Sequence, residues 1–276
     1  MQFDLVFEGG GAKGMIFVGA MEIFESKAHS FDRLLGASAG AITATLLAAG
    51  YSSDEMAAAL GEKEDGVPVF TKFMSDPLPF TDDEIKQSST LKLLEGIDIP
   101  LVPNRLENRF DAALAGLLLR SKSTRRLFSL IERGGLYSAR HFITWLQNKL
   151  DTGIYNRSTG SFGQGSPRRF SQMTLKQFYE ATSSDLSLIA SDTTGNHMLV
   201  LNHRTTPNCP LVMAVRMSMS IPLLWEEVIW QEAWGPYLER DITGHAIVDG
   251  GLLSNYPIEL FISRQHYVTA VMGERR

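Results

Sequence analysis

The sequence predicts an α/β fold with a parallel sheet, on three observations. A short apolar strand at residues 3–8 runs into the glycine loop GGGAKG and then a helix. The same order of strand, glycine turn and helix recurs by residue 50, as FDRLLG, GASAG and AITATLLAAG. Strand signals return late in the chain at LSLIASD, HMLVLNH and AIVDGG. Alternation of this kind builds a parallel sheet with its active loops at the strand C-terminal ends.

The composition fits. The chain has 276 residues, 44% of them hydrophobic, enough for a sizeable core. Charged residues make up 21%, an ordinary globular value. A net charge of −5 argues against a nucleic-acid binder dominated by phosphate contacts, while leaving room for a local basic patch. The single cysteine, Cys209 in HRTTPNCPL, cannot make an internal disulfide or a CxxC metal site. That usage fits a cytoplasmic setting, with Cys209 a loop bystander between prolines. The N-terminus lacks a basic region followed by a long apolar run. No uncharged run approaches the roughly 20 residues of a membrane helix. The expectation is a soluble protein, or one that visits a membrane from one side.

In chain order, GMIFVGAMEIFESK reads as a helix with Ile16, Ala20, Ile23 and Phe24 on one face. FDRLLG is the second strand, and AITATLLAAG a helix closed by Gly50. Residues 61–104, rich in Pro, Asp and Gly, read as a loop-rich excursion. Helical patterns follow at RLENRFDAALAGLLLR, STRRLFSLIER and SARHFITWLQNKL. Residues 151–171 are polar and glycine-rich and are expected to be mobile. After the three late strands, YVTAVM reads as one more strand shortly before the sequence stops. No fixed-period repeat or interdomain linker stands out, so residues 1–276 form one domain with an insert of loops and helices over about 61–170.

GGGAKG contains Gly9-x-Gly11-x-x-Gly14, which also fits a dinucleotide fingerprint. That reading needs an acidic residue at the end of the next strand. Asp32 lies at the beginning of FDRLLG instead, and the strand ends in Gly36-Ala37-Ser38-Ala39-Gly40. A P-loop fails too, because Met15 follows Gly14. GASAG is a Gly-x-Ser-x-Gly nucleophile elbow, in which small neighbours let a strained turn present the serine outward. Acyl transfer also needs donors for the oxyanion. The amide of Ala39 at the helix N-terminus and those of Gly10 and Gly11 suit that role, with Lys13 adding positive charge. Asp249, ending the strand of AIVDGG, is placed to face the serine as its base. Burial would raise its pKa from about 3.9 and make it a better one.

Together the three motifs resemble the patatin-like phospholipase family: GGGAKG at 9–14, GASAG at 36–40 and DGG at 249–251, in that order. RMSMSIPLLW at 216–225 resembles the family's Pro-containing block, and Asn255 and Pro257 fit its pattern after the aspartate. The resemblance implies a three-layer α/β/α fold with a mostly parallel central sheet and an inserted helical region. It implies a Ser–Asp dyad of Ser38 and Asp249, with Gly10, Gly11, Ala12 and Lys13 in the oxyanion region. The implied reaction is hydrolysis of phospholipid acyl esters, without metal or cofactor. Such proteins often continue with another strand, so a C-terminal part is expected beyond this sequence.

Alternatives stay open at this level. A Ser-His-Asp esterase or thioesterase would need one of six histidines, and His266 follows Asp249 as that order requires. A dinucleotide-binding oxidoreductase rests on the glycine loop alone. A non-catalytic lipid-binding module is the third. Leu114–Leu119 beside Arg120, Lys122, Arg125 and Arg126 offers a peripheral membrane contact, against a buried helix with a solvated turn. Trp225, Trp230 and Trp234 fit core packing better than an acyl groove. Asp82, Asp83 and Glu84 fit a solvated helix N-terminus better than a metal cluster. An enzyme that degrades its own cell's membranes needs restraint, so an activating ligand, partner or homo-oligomer is expected.

Overall fold

The computed structural model describes residues 1–90, 121–152 and 169–274. The helix read over 105–120 and most of the polar stretch, 153–168, lie outside the described residues. The chain opens with β1 (Gln2–Phe7), α1 (Met15–Ser26), β2 (Ser30–Ala37), α2 (Ala39–Ala48) and α3 (Ser53–Leu60). The insert contributes a small hairpin, β3 (Lys63–Glu64) and β4 (Val67–Pro68), then α4 (Asp82–Gln87), α5 (Lys122–Glu132), β5 (Gly135–Tyr137) and α6 (Arg140–Thr152). The last part runs through α7 (Leu175–Thr182), β6 (Asp185–Asp192), β7 (His197–Leu201), α8 (Leu211–Ser218), β8 (Leu223–Trp225), β9 (Val228–Ile229) and β10 (Ala246–Asp249). It ends with α9 (Glu259–Ile262) and α10 (His266–Met272).

The central sheet runs β1-β2-β6-β10-β9, with β7 also on β6. β1, β2 and β6 are parallel, as the two early strand–turn–helix units require. β7, β10 and β9 join antiparallel. One detail of register places the site. β2 pairs with the first part of β6 and stops with Ala37 opposite Ile189. β10 takes over the same edge of β6 from the opposite direction and stops with Asp249 opposite Ala190. The two strands therefore meet end to end.

Side chains on a strand alternate between faces, and here the alternation separates two cores. Leu34, Leu188 and Ala190 face the larger one, with Val18 and Met21 of α1, Leu46 and Leu47 of α2, Phe142 and Leu146 of α6 and Val215 of α8. Leu35, Ala37 and Ile189 face the smaller, with Leu260 and Phe261 of α9 and Val268, Val271 and Met272 of α10. Helices thus cover both faces of the sheet, giving the three layers. α2 is buried on almost every side, which its run of Ala, Thr and Leu permits.

Two sequence expectations are corrected. YVTAVM is not a strand but lies in α10: its β-branched residues suggest a strand, yet Val268, Val271 and Met272 bury at helical spacing. The apolar face of α1 is displaced from the one expected. Ile16 and Ile23 are 68% and 58% exposed, while Val18 and Met21 are buried and Phe17 and Phe24 pack beside them. Aromatic contacts set that rotation, Phe17 edge-on to Phe7 at 5.4 Å and Phe24 edge-on to Phe3 at 5.7 Å.

Other expectations hold. Asp82, Asp83 and Glu84 form the first turn of α4, where Thr81 and Glu84 make a reciprocal cap. Trp230 is buried, donates from Nε1 to the Gly235 carbonyl at 2.8 Å and meets Trp234 edge-on, which is core packing. Cys209 is wholly buried, and desolvation pushes its thiol pKa up, away from a thiolate nucleophile. In the basic stretch, Lys122 and Arg126 both pair with Asp76, at 3.0 and 2.5 Å. Leu114–Leu119 and Arg120 lie outside the described residues.

α2 sits so close to β1 that a Cβ on Gly40 would fall 2.2 Å from the Phe7 carbonyl oxygen. Gly19 in α1 would meet nothing within 4 Å. Gly40→Ala is therefore expected to destabilise by about 1–3 kcal/mol or more through overpacking. Gly19→Ala is expected to stabilise by about 0.5–1 kcal/mol through helix propensity. Denaturant unfolding of both variants checks the opposite signs.

Candidate active site

The end of β2 turns into α2 through Ser38, at φ 52° and ψ −122°. A non-glycine residue at positive φ stores strain of about 1–3 kcal/mol and persists only where its surroundings hold it. The surroundings here are small. A Cβ on Gly36 would fall 2.5 Å from the Gly40 carbonyl oxygen, so glycine on both sides of the turn is a packing requirement. The turn is closed by Ala41 N–H donating to the Ser38 carbonyl at 2.9 Å. Ser38 N–H donates to Ser218 Oγ at 3.2 Å. Ala39 is the first residue of α2, where helix N–H groups lack intrahelical partners and the dipole favours negative charge.

Because β10 runs head-on toward β2, the side chain at its last residue lies over the elbow. Ser38 Oγ donates to Asp249 Oδ2 at 2.6 Å. Asp249 Oδ1 accepts from Gly251 N–H at 2.7 Å, and Asp249 N–H donates to the Ser220 carbonyl at 2.8 Å. Ser38 and Asp249 are 7% and 4% exposed. Burial raises the Asp249 pKa above the usual carboxylate value, against the lowering effect of the Ser38 and Gly251 hydrogen bonds.

The glycine loop closes the third side. Gly9 N–H donates to the Asn255 carbonyl at 3.2 Å, and Asn255 Nδ2 donates to the Gly9 carbonyl at 3.1 Å. A Cβ on Gly9 would come within 3.0 Å of Ser38 Cβ. Gly11 takes φ 54° and opens a 3-10 turn, Gly11–Gly14, whose last glycine lies beside Ala39. The structure thus brings the loop of Gly10, Gly11, Ala12 and Lys13 to the same end of the sheet as Ser38, Ala39 and Asp249. The side chains of Ala12 and Lys13 lie outside the described residues.

Sequence reasoning missed what stands behind these groups. Ser218 Oγ accepts the Ser38 N–H. Buried Arg216 bonds the Ser220 hydroxyl and donates to the Glu226 carbonyl at 2.6 Å. Burial lowers its pKa to about 10, still charged at neutral pH. The signal was present in RMSMSIPLLW, but nothing local says what its hydroxyls and guanidinium touch. Among the described residues, no group of three or more His, Cys, Asp or Glu side chains is arranged to hold a metal ion. His197 and His245 both lie near Asp192, at 3.4 and 2.8 Å, and not at the serine.

The fold and the turn place the chain among α/β proteins that carry a serine on a strained strand-to-helix elbow. The chain belongs to the patatin-like phospholipase family, whose description matches residues 5–262. It is 30% identical over 267 residues to the uncharacterized protein YqhO of Bacillus subtilis (strain 168), covering 95% of this chain and 67% of that protein. It is 20% identical over 258 residues to the probable lipid hydrolase 463L of Invertebrate iridescent virus 6, covering 94% and 62%. Among solved structures, VipD from Legionella pneumophila is similar, with a TM-score of 0.48 and 21% identity, over 92% of this chain and 46% of VipD. The chain thus spans about two thirds of the curated relatives and under half of VipD.

A carboxyl with a raised folded-state pKa binds more protons folded than unfolded between its two pKa values, so stability falls as pH rises through that window. Above it, ionised Asp249 carries its full desolvation cost. Asp249→Asn is therefore expected to melt higher than the wild type at pH 7. The gap should narrow as pH is lowered toward the ordinary carboxylate value near 3.9. Thermal melts across pH check this.

Proposed function

We propose that this protein is a serine-dependent lipid acyl hydrolase of the phospholipase A type, working through a Ser38–Asp249 dyad without metal or cofactor. The observation that carries the reading is the direct 2.6 Å hydrogen bond from Ser38 Oγ to Asp249 Oδ2. A triad places an imidazole between serine and acid, and a contact this short leaves no room for one. That favours the dyad over the Ser-His-Asp alternative, His266 included.

In the proposed reaction, Asp249 takes the Ser38 proton as Oγ attacks the ester carbonyl carbon. The oxyanion is stabilised by the Ala39 amide and by loop amides from Gly10 and Gly11 onward, in the region of Ala12 and Lys13. Gly9 is not among these donors, because its N–H already serves the Asn255 carbonyl. The tetrahedral intermediate collapses, the ester C–O bond breaks, and protonated Asp249 gives its proton to the departing lyso-lipid alkoxide. Water deprotonated by the same carboxylate then attacks the acyl-serine, releasing fatty acid and restoring Ser38. The raised pKa of Asp249 makes it a stronger base than an ordinary carboxylate.

Contact with the lipid surface is proposed to be peripheral. No described helix is long and apolar enough to cross a membrane. Exposed apolar side chains follow both motifs along the chain, Met15 and Ile16 at 45% and 68% after the glycine loop and Leu252 and Leu253 at 56% and 51% after Asp249. Exposed apolar side chains next to these motifs suit a substrate that sits in an interface.

Fatty-acid release from mixed phospholipid vesicles tests the reading. Wild type is expected to release it; Ser38→Ala is expected to lose at least about a thousandfold in kcat and all labelling by a fluorophosphonate. Hydrolysis that persists in Ser38→Ala overturns the assignment. Because Asp249 acts ionised and its pKa is raised, kcat/KM is expected to fall on acidification with a midpoint above the ordinary value of about 3.9. A rate independent of pH from 4 to 8 would sink the role of Asp249.

A further inference from the structure

The site is assembled from opposite ends of the chain, and one exposed side chain touches both. Beyond Phe7, the last β1 residue paired with β2, the loop leaves the sheet. Gly9 then takes both of its backbone hydrogen bonds from Asn255, donating to its carbonyl at 3.2 Å and accepting from its Nδ2 at 3.1 Å. On the other side, a Cβ on Gly251 would fall 2.9 Å from Asn255 Oδ1 and 3.0 Å from Asp249 Oδ1. Gly251 is the residue whose N–H holds that same carboxylate oxygen. A Cβ on Gly9 would fall 2.2 Å from Asn255 Oδ1 and 3.0 Å from Ser38 Cβ. The Asn255 amide, the Gly9 backbone and the Ser38 side chain are therefore stacked in contact.

We infer that Asn255 is a positioning residue. Its side-chain Nδ2 holds the Gly9 carbonyl and so completes the pairing begun by its backbone carbonyl, which sets where the following amides of the glycine loop point relative to Ser38 Oγ and Asp249. This rests on the acyl-hydrolase reading above, in which those amides receive the oxyanion. The residue type suits the task. The Asn255 backbone carbonyl accepts the Gly9 N–H, and its side-chain Nδ2, a donor that a primary amide carries, reaches the Gly9 carbonyl, so backbone and side chain together give Gly9 the pairing that a neighbouring strand would supply. Asp fills the same volume but has no N–H. It sets a carboxylate against the Gly9 carbonyl and puts negative charge beside the place where an oxyanion forms. Oxyanion donors act through geometry, and a displacement of about 1 Å costs about a hundredfold. Asn255 is also exposed, so its replacement leaves the buried core untouched.

The test compares wild type, Asn255→Ala and Asn255→Asp on a soluble short-chain ester, with thermal melts and amide hydrogen exchange of residues 9–14. Both variants are expected to lose about ten- to a hundredfold in kcat with KM changed less than about threefold, and to keep the wild-type melting temperature within a few degrees. Loop amides are expected to exchange faster in both. The Asp variant separates the roles: if Asn255 only fills space, it keeps wild-type kcat and loop protection, and that result overturns the inference. Active wild type with unchanged variants likewise rejects the positioning role and leaves the hydrolase reading intact. A wild type that neither turns over ester nor reacts with a fluorophosphonate rejects the hydrolase reading, and the exchange data still decide whether Asn255 holds the loop.

Discussion

β2 and β10 share one edge of β6 and run toward each other, and the step between their ends is a single residue of that edge, Ile189 to Ala190. One strand residue advances about 3.3 Å, so the separation of Ser38 from Asp249 is fixed by sheet register rather than by loop flexibility. A one-residue slip of β10 would move Asp249 along the edge and turn its side chain to the other face. Register in turn is held by the two cores, because Ile247 and the alternating Leu188, Ile189 and Ala190 commit each strand residue to a face. The mixed sheet follows from the same constraint. A parallel neighbour would run alongside β2; only an antiparallel strand meets it head-on.

Holding these two residues together costs stability. Ser38 sits at positive φ, and the turn excludes side chains at Gly36 and Gly40. An ionised Asp249 lies in a place that disfavours its charge. Such costs persist only when the rest of the fold over-determines the geometry. Here α2 is packed on nearly all sides, and the segment from Arg216 to Ser220 braces the pair from behind. Ser218 receives the Ser38 amide and Ser220 receives the Asp249 amide, so one short stretch fixes both backbones. Arg216, bonded to the Ser220 hydroxyl and the Glu226 carbonyl, ties that stretch to the turn between β8 and β9.

What could be read from the sequence was what local chemistry dictates. Gly-x-Ser-x-Gly between a strand and an apolar helix specifies an elbow, because only small residues fit there. A carboxylate ending a strand before two glycines could be read for the same reason. The parallel β1-β2-β6 half followed from the repeated strand–turn–helix order. The antiparallel arrival of β10 did not, since pairing direction depends on contacts between residues far apart in the chain. YVTAVM misled because β-branched residues favour strands, while burial of Val268, Val271 and Met272 against one sheet face decided for helix. On α1, Phe17, Phe24 and Met21 displaced the isoleucines from the core through aromatic partners on β1 that helical periodicity does not include. Asn255 and Ser218 stood in noticed motifs, but each acts on a residue some two hundred positions away.

The placement of the carboxylate also bears on its strength as a base. Every hydrogen bond donated to a carboxylate lowers its pKa, and burial raises it. Among the described residues, Asp249 has one side-chain donor, Ser38, and one backbone donor, Gly251, and burial outweighs both. A further donor at either oxygen would make the base weaker; a more open site would remove the desolvation that strengthens it. The Gly251 amide is therefore best seen as orientation, turning Oδ2 toward the serine at the smallest loss of basicity. Asn255 lies against that same turn while its polar groups engage Gly9. It can hold the glycine loop beside the carboxylate without adding a donor to it, so in the reaction proposed above the amides that would receive negative charge and the carboxylate that would take the proton are positioned together yet stay electrostatically distinct.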